Sequence, residues 1–151
     1  MINLYDIFAS PVFWAIIVAV CIAQFTKIAL LVFKQGQKFI WQDLFVTGSM
    51  PSAHAAIVTA MTVILLLTEG FSPLFFVSFV ITAIVIRDAV GVRRTVGEES
   101  RVLTNVITVL KTKFHINISR KMHQSLGHQP IEVFVGTLIG IASAVVVYWL
   151  F

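Results

Sequence analysis

Nearly unbroken apolar residues fill four stretches of the chain, 11–33, 52–67, 73–92 and 132–151, and the polar residues collect between them. A membrane-crossing helix needs roughly 17–25 such residues, so each stretch is long enough, or nearly so, to predict a span. Little chain is left outside them, which predicts a single all-α membrane domain over 1–151, a four-span helical bundle. Thr68-Glu69-Gly70-Phe71-Ser72-Pro73 joins the second and third stretches. Glycine and proline there stop one helix and start the next, so these two form an antiparallel hairpin. Ser49 or Ser52 can cap the second.

The pattern changes in the connector 93–131. Glu98 and Glu99 precede, and Lys111 and Lys113 follow, an apolar stripe of Val102, Leu103, Val106, Ile107, Val109 and Leu110. That charge order suits a helix dipole. Its short length and charged ends predict an amphipathic helix in the cytoplasmic headgroup plane rather than a fifth span. A second short helix is expected within 114–124. His115 and His123 have no carboxylate or cysteine at a ligand spacing and are expected at the surface.

Composition agrees with a membrane protein. Of the 151 residues 58% are hydrophobic and 12% charged, against about 45–50% and about 25% in a soluble domain; mean hydropathy is +0.95. Asp6, with no basic residue before the first apolar stretch, argues against a cleaved signal peptide. Cys21 has no second cysteine to pair with and is expected to be a buried small apolar residue. The net charge of +4 does not come with the basic surface that nucleic acid requires. Instead, Lys34, Lys38, Arg93, Arg94, Arg101, Lys111, Lys113, Arg120 and Lys121 all fall on one side of a four-span topology, and Asp6 and Glu69 on the other. By the positive-inside rule that basic side is cytoplasmic and both termini lie outside.

Chemistry gathers on the same side. Met50-Pro51-Ser52-Ala53-His54 opens the second stretch, and a helix N-terminus with proline and hydroxyls beside it is suited to hold an anion. Gln24 and Lys27 interrupt the first stretch near its cytoplasmic end; Lys27 either serves a site at membrane depth or snorkels to the interface. At the end of the third, Arg87, Gly91 and Arg94 share a helix face with Asp88 close beside it. Arg93 and Arg94 are either phosphate cations or interfacial anchors. His128 precedes the last stretch, and Glu132 follows one turn later, where a carboxylate can accept the ring N–H and raise the basicity of the other nitrogen. The alternative is a loop histidine and a glutamate favoured at a helix start.

A bundle would bring His54, Arg87, Asp88, Arg93, Arg94, His128 and Glu132 to one membrane face. Two imidazoles, a carboxylate, several cations and a helix N-terminus suit phosphoryl transfer by covalent catalysis. That chemistry requires no metal or other cofactor, and the sequence has no paired cysteines and no histidine pair at metal-ligand spacing.

Pro51-Ser52-Ala53-His54 resembles the Pro-Ser-Gly-His signature of the type 2 phosphatidic acid phosphatase superfamily, which includes vanadium haloperoxidases. The chain is most similar to a divergent bacterial and plant branch, whose motifs Met-Pro-Ser-x-His, Asp-Ala-x-Gly-Val-Arg-Arg and Leu-Gly-His-x-Pro-x-Glu-Val occur here in order, at 50–54, 88–94 and 126–133. The resemblance implies that His128 is the nucleophile forming a phosphohistidine, Glu132 its orienting carboxylate, His54 the general acid and Ser52 a phosphate-binding serine. The superfamily's first motif, Lys, six residues, Arg-Pro, is met only by Lys27 and Lys34-Gln35, and glutamate stands where the superfamily has aspartate. Ser119-Arg120 is two residues further from the histidine than the corresponding pair, so Arg120 is given no role.

The expected phosphate-binding set is therefore Ser52, Lys27, Lys34, Arg87, Arg93 and Arg94, with Asp88 among the cations. The implied protein is an integral phosphatase of the bacterial inner membrane, acting on a lipid phosphate or pyrophosphate at the cytoplasmic face; four spans are few for a bundle, which is compatible with a homodimer. The other reading is a non-catalytic membrane protein that binds anionic phosphate headgroups or has a structural role.

Overall fold

The computed structural model describes residues 7–35, 50–114 and 129–151. These form helices α1 (Pro11–Gln35), α2 (Ala53–Glu69), α3 (Pro73–Val90), α4 (Val92–Phe114) and α5 (Pro130–Leu150).

The expectation of four spans is corrected. Among the described residues three segments are long and apolar enough to cross a membrane: Pro11–Leu30, Pro73–Val90 and Pro130–Leu150. The fourth, α2, has 17 residues, at the short limit for a crossing helix, and is not among them. It is instead the inner helix, packed against α1, α3 and α5, with Ala55, Ala56, Thr59, Ala60, Thr62, Ile64 and Leu65 buried.

The cytoplasmic interfacial amphipathic helix is corrected as well: none is identified among the described residues. Helix α4 starts at Val92, with only Gly91 between it and the end of α3, and has no acidic residue in its first turn. Glu98 and Glu99 therefore lie well inside the helix rather than at its start, and the dipole argument for a separate element at 97 fails. The ladder barely breaks at Gly91, whose N–H donates to Arg87 O at 2.8 Å and whose carbonyl accepts from Thr95 N at 3.1 Å. The second short helix expected in the connector lies outside the described residues, as do His115, His123 and Arg120.

The hairpin of α2 and α3 forms as its turn residues require. Gly70 takes φ +67°, Ser72 caps α3 by accepting from Phe75 N at 3.2 Å, and Pro73 occupies the first turn. The two helices run antiparallel, with Thr82 Oγ1 donating to Val58 O at 2.9 Å.

Register follows from the buried clusters. Ala15 packs with Ile64, Ala144 and Val147, and Ala19 and Ala23 pack with Ala56 and Ala60. Helix α1 is thus antiparallel to α2. Helices α2 and α5 run parallel: Ser52 meets Glu132 and Gly136, Ala56 meets Gly140, and Ile64 meets Ala144. Small residues, Gly136 against Ser52 and Ala55 and Gly140 against Ala56 and Ala60, allow this close approach, the means by which helices associate where lipid removes the hydrophobic drive. Large apolar side chains such as Phe76, Phe79, Ile84 and Phe134 face outward, as a lipid solvent permits, and Cys21, expected to be buried, is exposed on α1.

Candidate functional site

The site is built around the start of α2. Pro51 and Ser52 are buried, Ser52 to 0% exposure, and the Met50–Pro51 peptide is cis. Ser52 is the N-cap: its hydroxyl oxygen accepts from Ala55 N at 3.4 Å. Its own N–H donates to the carbonyl of Glu132 at 2.9 Å. The first polar turn of α2 is therefore joined by backbone to the first turn of α5. His54, the second residue of α2, is exposed at this end.

At the start of α5, the Glu132 carboxylate accepts from the backbone N–H of Gln129 at 3.1 Å. It thus satisfies one of the donors that a helix start leaves without an intrahelical partner. Its placement in the first turn is also favourable to the helix dipole. His128 lies outside the described residues; Gln129, bonded to it, is the N-cap of α5.

Helix α3 brings its last turn to the same end. Ala89 packs with Ala55 and Val133, flanked by Ile86 and Val90. Arg87 is exposed and Asp88 half-buried in that turn. Lys27 is 7% exposed on α1. Because α1 is antiparallel to α2 and Ala23 packs beside Ala56, four residues along each helix put Lys27 level with Ser52. The side chains of Lys34, Arg93 and Arg94 lie outside the described set; their backbones belong to the last turn of α1 and the first of α4.

One end of the bundle thus collects Lys27, Ser52, His54, Arg87, Asp88 and Glu132. Next to Lys27, Gln24 Oε1 is buried with no hydrogen-bond partner, as is Thr59 Oγ1 on α2. A shallow hollow of about 400 Å³ lined by Ile7, Ser10, Val12, Phe13 and Ile16 lies at the other end and is almost wholly apolar. Among the described residues no three His, Cys, Asp or Glu gather closely enough to hold a metal ion.

Two features escaped the sequence reading. The close approach of Gly136 to Ser52 is one, although the Gly-x-x-x-Gly spacing of 136 and 140 was visible. The Thr62–Thr82 contact, 2.8 Å between hydroxyl oxygens, is the other; nothing in hydropathy distinguishes these threonines from those that only bond their own helix.

Residues 8–143 match the sequence profile of the divergent PAP2 family. The chain belongs to the divergent PAP2 family. The match spans every element of the site, from Lys27 through the 50–54 and 88–94 motifs to Glu132. Another similar protein is an uncharacterized membrane protein, YuiD, of Bacillus subtilis (strain 168), 36% identical over 146 residues, covering 88% of this chain and 90% of that protein. No solved structure matches. Divergent PAP2 membership supports an integral membrane protein with a general phosphatase-type hydrolase activity.

Proposed function

We propose that this divergent PAP2 protein is a membrane-embedded phosphatase that hydrolyses a lipid phosphate or pyrophosphate through a phosphohistidine. The observation that carries the reading is the parallel packing of α2 and α5, locked by the Ser52 N–H to Glu132 carbonyl bond of 2.9 Å. It brings two helix N-termini to one end of the bundle, and each is a place where backbone N–H groups and the dipole favour an anion.

In this reaction the His128 imidazole attacks phosphorus and the P–O bond to the lipid breaks. His54 gives its proton to the leaving oxygen. Water then attacks the phosphohistidine, the P–N bond breaks, His54 takes the proton from water, and inorganic phosphate leaves. Glu132, its carboxylate steadied by the Gln129 N–H, accepts the ring N–H of His128 and stabilises the charge that develops there. Lys27, Lys34, Arg87, Arg93 and Arg94 neutralise the phosphoryl oxygens, and Asp88 holds the arginines in place. Ser52 fixes the helix start over which the phosphate rests. A substrate with a polar head and a lipid tail suits a site at the end of a membrane bundle, and the basic residues Lys27, Lys34, Arg87, Arg93 and Arg94 near that end favour the cytoplasmic side.

Purified protein in detergent is expected to release phosphate from an isoprenoid or glycerolipid phosphate, with vanadate inhibiting. A full rate in His128→Ala would overturn the nucleophile assignment.

Non-catalytic headgroup binding is the second reading. Complete enclosure of Ser52 favours it, since a hydroxyl that caps a helix under its neighbour is a structural group. Binding of a phosphorylated lipid without turnover would select it.

A further inference from the structure

Ser52 has both backbone groups engaged: its N–H donates to Glu132 O at 2.9 Å and its carbonyl accepts from Ala56 N at 3.1 Å. The residue opposite that carbonyl is Gly136, one turn beyond Glu132 on α5. A Cβ on Gly136 would fall inside van der Waals contact of the Ser52 carbonyl oxygen and 3.2 Å from Ala55 Cβ. Neither neighbour can rotate aside, because one is backbone and the other is a methyl group fixed to the helix.

We propose that Gly136 is a positioning residue: its missing side chain sets the separation between the helix start that bears His54 and the one that bears Glu132. This rests on the phosphatase reading above and goes beyond it by assigning the width of the anion gap to a residue that touches no substrate. Adding a Cβ forces the two starts apart by on the order of 1 Å to restore ordinary contact, and a displacement of that size can cost about 100-fold in rate.

Gly140 supplies the control. A Cβ there would lie 2.5 Å from Ala56 O and 3.0 Å from Ala60 N, so the seam is equally tight, but one turn, about 6 Å, deeper in the bundle.

The experiment compares Gly136→Ala with Gly140→Ala in the full-length protein in detergent, measuring melting temperature, kcat, KM and vanadate affinity by thermal protection. Both variants are expected to melt a few degrees below wild type. Gly136→Ala loses about 100-fold in kcat with KM little changed and loses vanadate affinity in parallel, because the lost interactions belong to the transition state; Gly140→Ala keeps kcat within several-fold. Equal losses in both, or wild-type kcat in Gly136→Ala, would overturn the assignment. Should Gly136→Ala not fold, Ala55→Ser adds one atom at the same seam and must lower kcat in the same direction; an unchanged kcat there would overturn it too. A wild-type protein that binds vanadate but hydrolyses nothing sinks the phosphatase reading alone, and vanadate affinity then decides the role of Gly136. No vanadate binding by wild type overturns both.

Discussion

His54 and Ser52 stand two residues apart in opposite surroundings: the imidazole is exposed, the serine wholly enclosed. An exposed side chain contributes little to folding, so His54→Ala is expected to leave the melt within about 0.5 kcal/mol of wild type while lowering turnover by about 100- to 10,000-fold, the usual contribution of a general acid. Thermal melting and phosphate release on the same preparation check the two halves of that expectation. The sequence shows at this scale why a histidine beside Pro-Ser is chemically interesting, since the cap and the anion site are local properties of a helix start. It does not show that Ser52 is buried, because the α5 turn that meets its backbone, Glu132 to Gly136, is distant in the chain. Glu132 likewise reads as an orienting carboxylate in one dimension, and in three is seen to accept the Gln129 N–H.

Thr82 ties two elements through one hydroxyl. It donates to Val58 O at 2.9 Å, and with its proton so used it accepts from Thr62, 2.8 Å away. Thr82→Val removes both links from a low-dielectric interior and is expected to cost about 1 kcal/mol, whereas Thr62→Val leaves the Val58 bond and costs less; the order of the two melting temperatures in detergent checks it. Most element positions were legible, because apolar runs and the Gly70, Ser72 and Pro73 signals act locally. Two were not. Hydropathy cannot tell a short apolar span from an inner helix, and α2 is the latter because alanine and glycine let three neighbours close around it. Charge order suggested a helix starting near Gly97, but the backbone ladder through Gly91 keeps the chain helical from Val92, and no charge pattern reports a hydrogen bond from Gly91 N to Arg87 O.

For the whole molecule, hydropathy established a membrane bundle, and the side on which polar clusters fall foretold that the ends of α1 and α3 and the starts of α2 and α5 would share one end. Their depth and spacing were not legible, since these depend on small-residue packing between α2 and α5. The central claim is that this shared end transfers a phosphoryl group to His128. The most direct test is rapid quenching of the purified protein with isotopically labelled lipid phosphate, followed by peptide mapping. An acid-labile phosphoryl group on the peptide containing His128, formed before free phosphate and absent in His128→Ala, is the predicted result; steady hydrolysis with no label on that peptide would contradict it.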